Sequence, residues 1–127
     1  MLNLNQLETG VVYVNGRGLA QLAALSWQNH PKFAGVAIKN ILMDEVKYLT
    51  MMLVKLEPGH EISLHVHEDQ AELHQILEGD GTAVIDQTVL KYSPGTLSLI
   101  PSNIPHQVKA GEKGLLLMAA FTPQLNA

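Results

Sequence analysis

The stretch GHEISLHVHEDQAELHQILEG, residues 59–79, carries four of the chain's six histidines, and two of them stand one residue apart as His65-x-His67. On a strand, residues i and i+2 share a face and lie roughly 7 Å apart along it, so two imidazoles in this arrangement can converge on one ion. Gly59 stands before the pair, Glu72 after it and Gly79 beyond that, in the spacing G-x5-H-x-H-x4-E-x6-G. With this chain's composition, a chance match to those five fixed residues is on the order of one in several thousand.

The second half of the stretch reads two ways. Asp69 to Glu78 has a candidate N-cap, helix formers at Ala71, Glu72, Leu73 and Gln75, apolar residues at helical spacing and Gly79 as a stop, all of which favour a helix. The strand reading puts Glu72, His74 and Ile76 on one face and Leu73, Gln75 and Leu77 on the other. Propensity alone says helix, and the choice between the two readings turns on the chemistry.

Outward from this segment, turn signals recur at short intervals: Asn15-Gly16, Pro58-Gly59, Gly79-Asp80-Gly81, Pro94-Gly95, Pro101 to Pro105, and Gly111 to Gly114. Between them lie apolar, β-branched runs at Val11–Val14, Tyr48–Leu56, Thr82–Ile85, Thr96–Ile100 and Leu115–Phe121. Short strands punctuated in this way predict an all-β sandwich or barrel. Gly18 to Trp27 is made of helix formers and is expected to give a short helix or an irregular arm.

Bulk properties narrow the function. The 127 residues fit one domain, residues 1–127, and a composition of 46% hydrophobic and 16% charged residues predicts a packed globule. Eight Lys and Arg against twelve Asp and Glu give a net charge of −4, with no basic stripe and only 5% aromatics, which argues against nucleic acid as a partner. With no cysteine, thiolate metal sites and cysteine nucleophiles are excluded, so any metal is held by His and carboxylates. Neither a secretory leader nor an apolar run of membrane-spanning length is read, so the expectation is a cytoplasmic protein without a membrane partner.

The spacing over residues 59–79 resembles, position for position, the first signature of the cupin superfamily. The second, G-x5-P-x-G-x2-H-x3-N, is matched by Gly95, Pro101 and His106 in GTLSLIPSNIPHQVKA, with Asn103 at the second glycine and Ala110 at the final asparagine. Asn tolerates a left-handed backbone better than other non-glycine residues, so Asn103 is a mild departure. The resemblance implies an antiparallel β-barrel of jelly-roll type, with residues around Glu72 in a strand and His65, His67, Glu72 and His106 as metal ligands. Three imidazoles and a carboxylate suit one divalent transition metal ion, Fe, Mn, Ni, Co, Cu or Zn, and leave two octahedral positions open to water, substrate or dioxygen.

The expected function is a metal-dependent enzyme acting on a small organic molecule inside the barrel, an anionic one being favoured by the metal's charge; dioxygenase, decarboxylase, lyase and isomerase chemistry share these ligands. The alternative is a non-catalytic small-molecule or metal-binding module, and a metal-free epimerase-like barrel is disfavoured by the four retained ligands. His74 has two candidate roles: a base or proton shuttle in the cavity, or a packed group bonded to the ligand carboxylate. His30 and His60 are expected at solvated turns, and Met43, Met51, Met52, Met118, Trp27, Tyr48 and Phe121 in the core or cavity wall. A homodimer is expected for a barrel of this kind.

Overall fold

The apolar, β-branched runs fold as strands that pair antiparallel throughout. The computed structural model describes Leu2, Leu7 and residues 9–125. In chain order the described strands are β1 (Val11–Val14), β2 (Gly18–Gln21), β3 (Trp27–Asn29), β4 (Val36–Val46), β5 (Leu49–Leu56), β6 (Glu61–His65), β7 (Ala71–Ile85), β8 (Thr88–Tyr92), β9 (Leu97–Ile100) and β10 (His106–Thr122). β1 and β2 form a separate hairpin, and the other strands form a sheet ordered β3-β4-β5-β10-β7-β8, with β6 added on β10 and β9 on β7.

The architecture turns on the long ribbon of β7 and β10. The first half of β10 pairs with β6 and with the second half of β7, whereas its second half pairs with β5 and with the first half of β7. The ribbon therefore belongs to both faces of the barrel and bends between them, where the β7–β10 register shifts from Ala110 to Leu115. The glycines of Gly79-Asp80-Gly81 and Gly111–Gly114, which read as turns, lie inside these continuous strands. They permit a close crossing: a Cβ on Gly79, whose φ is +91°, would lie 2.1 Å from the carbonyl oxygen of Gly114.

Residues 71–78 are strand, not helix. Glu72, His74 and Ile76 are buried while Leu73 and Gln75 face outward, the period-2 alternation of a pleated strand. The reason lies in long-range pairing, because Glu72 is flanked by Phe121 of β10 and by Ile100 of β9. Both edges of the backbone are thus satisfied by neighbours, which outweighs a helix propensity worth only tenths of a kcal/mol per residue.

The helix formers between Gly18 and Trp27 resolve as an arm: β2, one 3₁₀ turn at Leu22–Ala24, and the start of β3. So short a segment gains little against the cost of helix nucleation, and Leu19 and Ala20 pair with Tyr13 and Val12 instead. Leu22 packs with Leu7 on the outer apolar cluster around Leu53 and Leu116, and the buried Lys39 ammonium donates to the Leu22 carbonyl at 2.8 Å, pinning the arm. The larger core, with Leu56, Ile76, Tyr92, Val108, Leu115 and Leu117, fills the barrel interior. Tyr48 departs from the core or wall placement expected of it: it sits in the β4–β5 turn and is 67% exposed. Among the described residues, no helix is long and apolar enough to cross a membrane.

Candidate metal centre

Four polar side chains meet at one end of the barrel interior. His65 closes β6, Glu72 is the second residue of β7, and His106 opens β10, where it pairs with both His65 and Ile85. His67 lies just past the end of β6 rather than on the strand itself. Its carbonyl accepts the backbone N–H of Asn103 at 2.9 Å, and Asn103 has the left-handed φ of +65° that a glycine would adopt with ease. The chain between β9 and β10 thereby holds His67 toward its partners.

Ring centroids of His65 and His106 are 4.2 Å apart, those of His65 and His67 5.0 Å, and those of His67 and His106 5.7 Å. One potential ligand atom from each of His65, His67, Glu72 and His106 lies within 4.8 Å of the others. The residues singled out from the sequence are thus brought together.

Ring orientation gives this cluster its chemistry. His65 Nδ1 donates to the Ser63 carbonyl at 2.8 Å, and His106 Nδ1 donates to the Ile104 carbonyl at 2.9 Å. A carbonyl only accepts, so each ring carries its hydrogen on Nδ1 and its Nε2 is left as the inward atom. His106 Nε2 lies 2.9 Å from Glu72 Oε1, and His67 Nε2 lies 3.5 Å from the same oxygen. An imidazole lone pair aimed at a carboxylate oxygen is repulsive unless a cation stands between them, and a proton or a metal ion serves. The donor set therefore fits a divalent ion.

Ionisation follows the same geometry. Burial works to raise the Glu72 carboxyl, but hydrogen bonds from His106 and His74 outweigh it and hold the group well below the usual carboxylate range. For His106, burial works downward and the Glu72 hydrogen bond upward, with the net shift upward. Burial lowers His65 and His67, which favours the neutral imidazole that a metal requires.

Behind the carboxylate runs a hydrogen-bonded chain. Glu72 Oε2 lies 2.6 Å from His74 Nε2, His74 Nδ1 lies 2.8 Å from the Tyr92 hydroxyl, and that hydroxyl lies 2.6 Å from Ser98 Oγ. With a neutral His74 ring, Ser98 donates to Tyr92, Tyr92 to Nδ1, and Nε2–H to the carboxylate. Both ring nitrogens of His74 are thus engaged. Burial pushes the Tyr92 phenol up to about 12, with the Glu72 charge adding to it, which keeps the hydroxyl a donor. Tyr92 and Ser98 were not marked by any sequence signal; the pairing of β7 with β8, which ends at Tyr92, and that of β7 with β9, which sets His74 opposite Ser98, bring them to the site.

The cluster opens into a cavity of about 380 Å³. Its walls include Ile38, Met52, Val54, Leu117 and Phe121, and the segment with His30, Lys32 and Phe33 also lines it. His30 was expected at a solvated turn; it is half-buried, its Nδ1 accepts the backbone N–H of Lys32 at 3.0 Å, and its ring lies 4.7 Å from that of Phe33. His60 is exposed, as expected.

The family model described as a cupin domain matches residues 52–120, more than half of the chain. Solved structures of similar fold include KdgF from Halomonas sp., at 22% identity, TM-score 0.73, over 80% of this chain and 90% of that one. A predicted oxalate decarboxylase from Thermotoga maritima is 22% identical, with TM-score 0.73, over 80% of this chain and 95% of the other. An RmlC-like cupin from Shewanella frigidimarina is 16% identical, with TM-score 0.72, over 80% and 86%. No curated protein sequence matches the chain.

Proposed function

Since the chain belongs to the cupin domain family, we propose that it is a metal-dependent enzyme acting on a small organic molecule inside the barrel, with His65, His67, Glu72 and His106 as ligands of one divalent transition metal ion. The observation that carries this reading is the inward aim of His106 Nε2 and His67 Nε2 at one carboxylate oxygen, an arrangement that calls for a cation. With one carboxylate in the set, a divalent ion leaves a net charge of about +1, which favours an anionic oxygen on the substrate. Such an ion supplies Lewis-acid or redox chemistry at its open positions. Oxygenation, decarboxylation, lyase and isomerase reactions all remain compatible with it.

His74 serves here as a positioning residue. Its Nε2 fixes Glu72 Oε2, so that Oε1 alone faces the histidines, and Tyr92 fixes the His74 ring in turn. The exposed apolar side chains Leu73, Leu97 and Leu99, at neighbouring positions on β7 and β9, support assembly as a homodimer through this face.

A second reading, a non-catalytic metal- or small-molecule-binding module, is favoured by the full engagement of both His74 nitrogens, which leaves neither of them free to act as a base. Elemental analysis of protein purified without added metal tests the site: about one ion per chain is expected, and none in a His65→Ala, His67→Ala double variant. Stoichiometric metal surviving in that variant would overturn the assignment. Release of CO2, uptake of O2, or cleavage or isomerisation followed by NMR, in Mn- or Fe-loaded protein supplied with a panel of small carboxylates, separates enzyme from binding module.

A further inference from the structure

The walls of the cavity are chemically one-sided. Eleven of the seventeen lining side chains are apolar, and the six polar ones are His65, His67 and Glu72 of the cluster, His74, His30 and Lys32. Among the described residues, no Arg, Ser, Thr, Asn or Gln lines it. Both His74 nitrogens and the His30 Nδ1 are already bonded within the protein. Apart from His30 Nε2 and the Lys32 ammonium at its mouth, the wall away from the cluster therefore offers a bound molecule apolar contact surface and, among the described residues, no side-chain hydrogen-bonding partner.

From this we infer that the natural ligand is a small monoanion with a single oxygen-bearing head and an apolar body, aryl or branched alkyl, rather than a polyhydroxylated acid or a bare dicarboxylate. The assignment of the head to the cluster rests on the proposed metal; the assignment of the body rests on the walls alone. A sugar acid brings several hydroxyls into the cavity, and each one buried without a partner costs binding. Oxalate, the substrate named for one of the similar structures, has no apolar surface with which to use Ile38, Val54, Leu117 or Phe121. The cavity volume of about 380 Å³ lies at the lower end of the roughly 300–1,000 Å³ usual for small-ligand sites. Exposed Lys32 is the one lining side chain with a fixed positive charge, and it adds to the preference for an anion.

The test uses the full chain loaded with Zn²⁺, which is redox-inert, so that titration calorimetry reads binding and not turnover. The probes are 3-phenylpropionate, propionate, glucuronate and fumarate, a dicarboxylate whose trans geometry prevents chelation of the Zn²⁺. Burial of the phenyl ring is expected to tighten binding over propionate by roughly tenfold to hundredfold, with glucuronate and fumarate weaker than 3-phenylpropionate. Ile38→Ser, at a half-buried wall position, is expected to reduce the preference for 3-phenylpropionate over propionate at least about fivefold. The inference is overturned if glucuronate or fumarate binds as tightly as 3-phenylpropionate, if no carboxylate binds, or if the phenyl group adds less than about threefold. The same ranking of 3-phenylpropionate over propionate is expected in metal-free protein. Failure of Zn²⁺ to load would thus remove the proposed metal site without touching the apolar-body assignment, and loss of the ranking in loaded protein would do the reverse.

Discussion

Removing a single oxygen atom at position 92 probes how the carboxylate of the cluster is held. Tyr92 is fully buried and His74 is 3% exposed, so Tyr92→Phe deletes a hydroxyl that no solvent replaces. The loss comprises the 2.8 Å bond to His74 Nδ1 and the 2.6 Å bond to Ser98. Ser98 is only half-buried and regains a partner in water, whereas the His74 nitrogen is left buried and unsatisfied, at a cost of about 1–3 kcal/mol. A net destabilisation of about 2 kcal/mol is expected, and for a chain of this size that is a fall in Tm of roughly 6–10 °C, read by calorimetry on metal-free protein.

The same substitution loosens the ring that fixes Glu72, and support of this kind is commonly worth tenfold or more in metal affinity. Tyr92→Phe is therefore expected to weaken Zn²⁺ binding by roughly tenfold in competition with a chelating indicator. In a His74→Phe background the nitrogen to be orphaned no longer exists, so Tyr92→Phe should cost about 1 kcal/mol less there than in the wild type. Unchanged Tm and unchanged Zn²⁺ affinity, or strict additivity of the two substitutions, would refute the idea that the Ser98–Tyr92–His74 chain supports the carboxylate.

Three further outcomes follow from the site and the ribbon. His67→Ala should abolish the rise in Tm that Zn²⁺ gives the wild type, a rise equivalent to about 2.7 kcal/mol at a free-metal concentration near 100 Kd; a preserved rise would place the ion elsewhere. His106 is shifted upward in metal-free protein, so its contribution to stability is present below pH 6.5 and is lost as pH rises through the raised folded value. Zn²⁺ must displace that proton, and calorimetry in buffers of different ionisation enthalpy should show proton release of about one near pH 6.5 that falls as pH increases; release independent of pH would contradict the shared Nε2 position. Gly79→Ala places a Cβ against the Gly114 carbonyl at positive φ and should lower stability by at least about 2 kcal/mol, checked by urea unfolding; a neutral effect would mean the two strands do not cross so closely.

Candidate metal ligands are legible in a sequence when the fold sets them by local spacing. His65, His67 and Glu72 fall within eight consecutive residues that run from the end of β6 to the start of β7, and their separation survives whatever the rest of the chain does. His106 was reached through a second local pattern, and the left-handed backbone foreseen for Asn103 is what lets that segment grip the His67 carbonyl.

The glycines at 79–81 and 111–114 show where local reading stops. A glycine signals that the backbone changes direction or approaches another closely, yet it does not say whether strand pairing continues beyond it. In β7 and β10 pairing does continue, because each half of one strand has the other as its neighbour. The same reason hides Tyr92 and Ser98, which lie 18 and 24 residues after His74 and meet it only through the register of β7 against β8 and β9. Spacing therefore exposes the atoms that can touch the metal, while the groups that orient those atoms are set by inter-strand register, which no short motif encodes.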